Sequence, residues 1–156
     1  MVSTRQLAAR IAADCSATRA RAASRALTRA YDAALREVGL QSAQLSLLVA
    51  VVLFGEQGAK LSALAARLAM DRTTLTRNLS PLERAGLLRV ARSPSDARTR
   101  VITLTRAGER KLEEAYPVWQ KAQARFAGGF GAERAKALGA ELEASVASAT
   151  TLSDDG

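Results

Sequence analysis

The residues with the most chemistry in this chain sit in its middle third. Arg72, Thr73, Thr74, Thr76 and Arg77 fall within six positions, and Arg98 and Arg100 follow after a polar stretch. A threonine hydroxyl can donate or accept, and its methyl group suits the C5-methyl of thymine. Arginine grips phosphate or guanine with a planar fork of donors. This is the chemistry of contact with nucleic acid, not of bond breaking. The catalytic inventory is bare by comparison, with no histidine and a single cysteine, Cys15. A His-based triad, an imidazole proton shuttle, an HExxH zinc site and ordinary structural zinc therefore cannot be assembled. There is no phosphate-cradling glycine loop and no nucleophile–base pair. The expectation is no catalytic residue, no metal and no cofactor.

Charge concentrates in the same place. The chain carries 23 Lys+Arg against 15 Asp+Glu, a net +8. Residues 60–104 hold nine bases against three acids, whereas residues 105–156 are close to balanced. A basic field gathered in one segment fits a surface that neutralises phosphates. The ordinary alternative is a solvated basic face.

The elements that must position these residues read as helices. Of the 156 residues, 48% are hydrophobic, 24% charged and 4% aromatic, a globular profile rich in alanine. Residues 1–156 read as a single domain. No apolar run approaches the ~20 residues that span a bilayer, so no membrane partner is expected. The first residues lack the layout of a signal peptide, and one cysteine allows no internal disulfide; a cytoplasmic protein is the expectation.

A first long helix is expected over about 4–37, stopped by Gly39. It is too long for a simple surface helix and calls for a partner chain. Ser42 is read as the N-cap of a second helix, apolar nearly all round from Leu45 to Leu53 and therefore central. Gly55 and Gly58 break it, and a short extended piece, Ala59-Lys60-Leu61, follows. Ser62 is read as the N-cap of a short third helix over 63–69, with Leu64 and Leu68 inward. Asp71 caps a fourth helix over 72–85, with Leu75, Leu79 and Leu82 inward and a kink at Pro81. Two strands follow, 87–92 and 100–104, joined by the basic loop 93–99. Thr105 caps a fifth helix over 106–127, bent at Pro117, with Leu112, Tyr116, Trp119, Ala122 and Phe126 on one face. Gly128-Gly129 should break it. A last helix covers 132–149, and the tail from Ser153 should fray.

Helix, tight turn, helix and hairpin in that order is a helix-turn-helix with a wing. The second helix of such a pair enters the major groove by its N-terminal residues, here Arg72, Thr73, Thr74, Thr76 and Arg77. Ser42 and Ser62, at the starts of the two earlier helices, join them as candidate DNA contacts, as does Arg100. Arg98 suits a wing that reaches into the minor groove. Asp96, being anionic, is read as a brace that pairs with Arg98 or Arg100. First-turn filling, surface ion pairs and a plain charged turn are the bland readings of these same residues.

Taken together, these residues resemble the MarR family of bacterial transcription regulators. The resemblance rests on Gly39-Leu40-Gln41-Ser42-Ala43-Gln44, on Leu61 to Leu68 (LSALAARL), and on Asp71 to Arg77 (DRTTLTR). It continues through Leu82 to Leu88 (LERAGLL), Asp96-Ala97-Arg98 and Leu104 to Gly108 (LTRAG), and spans about Ala17 to Leu142. It implies a mainly α fold with a small β-hairpin wing: a winged helix-turn-helix, about 42–104, inside an all-helical dimerisation frame, about 4–37 and 106–149. It implies a homodimer on double-stranded DNA with a pseudo-palindromic operator, and in most members repression that a small ligand or oxidant relieves. An effector pocket would lie between frame and winged unit, with Tyr31, Leu48 and Trp119 as candidate lining residues; plain core packing is the alternative for all three. Gln41 stands where members often have threonine. Some members sense hydroperoxides through a cysteine in the first helix. That column falls near Ala17, two residues from Cys15, with Arg19 one turn beyond Cys15. Cys15 is thus the candidate redox residue, or else a small inert side chain. A winged-helix module that binds proteins is the competing class, and Arg72, Arg77 and Arg98 argue against it.

Overall fold

The computed structural model describes residues 2–93, 96 and 98–154. Its helices begin where polar side chains take up the orphan N–H groups of a first turn. Ser3 caps α1 (Thr4–Asp14) reciprocally: Ser3 Oγ accepts from the Gln6 N–H at 3.3 Å, and Gln6 Oε1 accepts from the Ser3 N–H at 2.8 Å. α1 ends at Cys15, which is extended at φ −73°, ψ 103°, and α2 (Ser16–Leu35) starts afresh. The uninterrupted helix expected over 4–37 is therefore two helices. No glycine or proline announces the break; the Arg19 side chain closes it by donating to the Ala13 carbonyl. One 3-10 turn (Arg36–Val38) follows α2, and Gly39, at φ 69°, makes the left-handed stop.

α3 (Ser42–Val52) is capped by Gln41 rather than Ser42, with Gln44 Oε1 accepting from the Gln41 N–H at 2.9 Å. Ser42 instead donates twice to Asp32 Oδ1 on α2, from its N–H at 2.6 Å and its Oγ at 2.7 Å. β1 (Ala59–Lys60) leads directly into α4 (Leu61–Arg67), so Lys60 is the N-cap and Ser62 lies inside the first turn. α5 (Arg72–Arg84) starts as expected at an Asp71 cap and continues through Pro81. β2 (Leu88–Arg92) and β3 (Arg100–Leu104) form the hairpin.

The extended piece at Ala59 becomes a third strand. The antiparallel sheet has the order β1–β3–β2, with Ala59 opposite Ile102 and Val90 opposite Ile102 on the other side. α6 (Arg106–Phe130) starts at a Thr105 cap and runs straight through Gly128-Gly129 to Gly131. Each glycine costs a helix about 1 kcal/mol. Local packing offsets it: Phe126 and Phe130 stack at 5.3 Å between centroids, and the Arg134 guanidinium lies 4.4 Å over Phe130. α7 (Ala132–Asp154) is longer than expected and includes Ser153.

The core forms where α3 meets the winged unit. Leu35, Leu47, Leu48, Leu64, Leu75, Leu82 and Ile102 are fully buried. Burying a side chain of that size contributes about 1.5–3 kcal/mol. The inward stripe of α5, Leu75, Leu79 and Leu82, is buried as expected, while Leu68 is only half-buried. α1 buries nothing, and its Leu7 and Ile11 are 49% and 64% exposed. Among the described residues, no single helix is long and apolar enough to cross a membrane.

Candidate nucleic-acid interface

The site is built from three elements held by that core. The apolar stripe of α5 fixes the helix's rotation, so the opposite stripe faces out: Thr73, Arg77, Ser80 and Arg84, three to four residues apart, with Thr76 beside Arg77. Asp71 fixes where α5 begins. Its Oδ1 accepts from the Thr74 N–H at 2.8 Å and its Oδ2 from the Thr74 hydroxyl at 2.6 Å. The Thr74 hydroxyl, and next its N–H, hold the Asp71 carboxyl below its ordinary range.

The wing is braced in a comparable way. Asp96 Oδ1 accepts from the Arg98 N–H at 2.9 Å and Oδ2 from the Thr99 hydroxyl at 2.7 Å. The Thr99 hydroxyl, then the Arg98 N–H, lower the Asp96 carboxyl, and the more distant charge of Lys60 adds to the effect. Asp96 thus shapes the turn through backbone and hydroxyl groups. The ion pair expected with an Arg98 or Arg100 guanidinium is not how it does so. Pro94, Ser95 and Ala97 of this loop lie outside the described residues.

These parts meet at one open concavity of about 1010 Å³. Arg72, Thr73, Thr76 and Arg77 of α5, Ser62 of α4, and Arg98 and Arg100 of the wing all line it. Sequence reasoning missed Leu61, Ser80, Pro81, Arg84 and Thr99 on the same walls. The helical spacing that links Thr73, Arg77, Ser80 and Arg84 was the signal for two of them, Ser80 and Arg84. Among the described residues, five arginines and no carboxylate line the concavity. Such a wall attracts polyanions, and the fork of each guanidinium fits phosphate or guanine. Thr76 Oγ1 donates to the Arg72 carbonyl at 2.8 Å, which leaves its lone pairs and methyl for a ligand.

Two expected residues are not brought there. Thr74 is half-buried and spends its hydroxyl on Asp71. Ser42 is tied to Asp32 and lines a different cavity, of about 660 Å³, between α2, α3, α6 and α7. Tyr31 and Trp119 also line this second cavity, and the Tyr31 hydroxyl donates to Gln123 Oε1. Burial pushes the Tyr31 phenol up. Leu48 is fully buried among core side chains and is not on its walls. Cys15 stands at the α1–α2 break, part-exposed, and the Thr18 hydroxyl and N–H hold its thiol below the usual value. Among the described residues, no group of three or more His, Cys, Asp or Glu is placed to hold a metal.

Known proteins share this fold. A family model described as MarR family matches residues 38–99. The M. tuberculosis transcriptional regulator MosR, solved in complex with DNA, is 40% identical; the match covers 84% of this chain and 98% of that one, with a TM-score of 0.69. MepR of S. aureus, also solved with DNA, is 20% identical over 85% of this chain and 97% of that one, with a TM-score of 0.72. CouR of Rhodococcus jostii, solved with p-coumaroyl-CoA, is 22% identical over 86% of this chain and 93% of that one, with a TM-score of 0.70. The last two likenesses are of fold. No curated protein sequence matches this chain.

Proposed function

This chain belongs to the MarR family of winged-helix DNA-binding transcription regulators, and from that premise we propose that it is a homodimeric repressor of a pseudo-palindromic operator, released by a small-molecule effector. The observation that carries the DNA reading is the concavity where α5, Ser62 and the wing arginines converge, with no carboxylate among the described residues that line it. In this reading Arg72, Thr73, Thr76 and Arg77 meet base edges and phosphates, and Arg98 and Arg100 hold the flanking backbone or minor groove. Asp96 is the brace of the wing, and Thr74 acts through the cap.

Dimerisation supplies one such concavity per half-site, about 34–36 Å apart. The apolar side chains left exposed on α1 and α7, Leu7, Ile11, Leu142 and Val146, support pairing through a frame of α1, α2, α6 and α7. The cavity of about 660 Å³ beside Tyr31 and Trp119 supports the effector reading, because small-ligand sites run to about 300–1,000 Å³. The p-coumaroyl-CoA held by CouR on the same fold is consistent with it. An effector that prefers one spacing of the two recognition helices by a few kcal/mol is sufficient for release. The lowered Cys15 thiol favours a second route to release, by oxidation.

The test is fluorescence anisotropy on duplex DNA from upstream of the chain's own gene, against scrambled duplex, across a salt series. The expected result is a steep salt slope and a preference of roughly 10³ or more. Arg98→Ala should weaken binding and flatten the slope. Equal, weak binding to both duplexes refutes operator recognition and favours a protein-binding winged helix.

A further inference from the structure

At the far end of the wing, Arg92 of β2 stands directly opposite Arg100 of β3. Like charges in that position repel and weaken a ladder. Both residues are exposed, and the ladder does not splay around them: just beyond, the Ser93 N–H donates to the Thr99 carbonyl at 2.8 Å. The nearby carboxylate, Asp96, is committed to the Arg98 N–H and the Thr99 hydroxyl. Among the described residues, neither arginine is in an ion pair.

Alternation along the strands says where the pair points. Residues facing each other across an antiparallel ladder share a face, and faces alternate along each strand. Arg100 shares its face with Ile102, and Arg92 with Val90 and Leu88; Ile102 and Leu88 are buried. The two arginines therefore continue the core-facing side of the hairpin past the edge of the core. Arg100 lines the arginine-rich concavity on that side. Arg89 lies on the opposite face of β2.

We infer that Arg92 is a further phosphate contact of the wing, and that Arg92 and Arg100 together clamp the DNA backbone. The inference rests on the DNA-binding reading above and adds a residue to that interface. A polyanion is the class of ligand that turns this repulsion into attraction. Two successive phosphates take one guanidinium each. The clamp reads no sequence; it fixes the wing's position while α5 meets the bases.

The test uses the full chain and its variants Arg92→Gln, Arg92→Lys, Arg100→Gln, the double Gln variant and Arg89→Gln. Each is titrated onto native and scrambled duplex across a salt series. One phosphate contact contributes about 0.9 to the slope of log K against log salt. Arg92→Gln should lower the slope by about 0.9 and the double variant by about 1.8. The loss should be the same on both duplexes. Arg92→Lys should keep the slope, and Arg89→Gln should change it far less. Without DNA, Arg92→Gln should melt no lower than wild type, because a repulsion is gone. An unchanged slope for Arg92→Gln overturns the inference. So do equal losses for Arg89→Gln and Arg92→Gln, which would show only the effect of net charge. A wild-type chain without salt-dependent binding refutes the proposed function itself. A steep wild-type slope that Arg92→Gln leaves intact refutes Arg92 alone.

Discussion

Gly108 is where α6 is riveted to the wing, and Gly108→Ala should break the rivet. The Thr105 hydroxyl donates to the Gly86 carbonyl at 2.6 Å and accepts from the Gly108 N–H at 3.1 Å. Gly108 is fully enclosed, and a Cβ built on it would lie 2.2 Å from the Leu87 carbonyl oxygen and 2.6 Å from Leu104 Cδ1. Restoring normal contact requires a shift of about 1 Å. Leu104 can rotate away. The Leu87 carbonyl cannot, because it is backbone and already accepts from the Thr105 N–H at 3.1 Å. Overpacking of this kind costs about 1–3 kcal/mol. Alanine's advantage over glycine in a helix interior, at most about 1 kcal/mol, offsets part of that. The expected net loss is about 1–2 kcal/mol, which lowers Tm by roughly 2–8 °C in a chain of this size. The assay is a circular-dichroism melt at fixed protein concentration, since pairing between copies, as proposed above, makes Tm depend on concentration. Gly128→Ala is the internal comparison. It makes the same substitution in the same helix, but its Cβ meets nothing within 4 Å, so Tm should rise. A Gly108→Ala chain that melts at or above wild type refutes the reasoning.

Three further outcomes follow from the caps and the thiol. Asp71 is held below its ordinary pKa, so its stabilisation is present above the unfolded value of about 3.9 and is lost as pH falls through the lower folded value. Asp71→Asn keeps a cap that does not titrate, so wild type should lose more Tm between about pH 5 and pH 2 than the variant does; parallel losses in acid melts would refute this. Asp96→Ala removes a negative charge from a basic surface, which by Coulomb attraction alone should tighten DNA binding. If Asp96 shapes the wing through the Arg98 N–H and the Thr99 hydroxyl, anisotropy should instead show weaker binding. The lowered Cys15 thiol should react with iodoacetamide along a pH–rate profile whose midpoint lies below that of a free cysteine, and Thr18→Val should move it back up.

What the sequence by itself determined is local. Asp71 followed by a Leu75, Leu79, Leu82 stripe specifies where α5 starts and which side it buries, because cap and period act within a few residues. Thr105 marks the start of α6 for the same reason. The hairpin was legible from its alternating strands around a polar loop, and the arginine-rich stripe follows from α5's rotation. Family motifs spanning Gly39 to Gly108 carried the functional class.

Only the tertiary structure decided the rest, where the competing forces come from distant residues. Ser42 reads as a cap and a DNA contact until Asp32, ten residues earlier, takes both its donors. Thr74 and Arg77 look alike as polar residues of one turn, yet the Asp71 cap withdraws one from the groove. Gly128-Gly129 should end a helix on propensity, yet α6 continues, with Phe126 and Phe130 stacked one turn apart and Arg134 over Phe130. Leu48 was a candidate for a ligand cavity, but the fold closes core on every side of it. Lys60 became a cap because Ala59 found a partner in Ile102, more than forty residues on. Arg92 gained a meaning only through register: nothing in the linear chain says that it stands opposite Arg100. Local propensity acts over a turn or two, while pairing, burial and register are settled by contacts whose partners the chain brings together only when it folds.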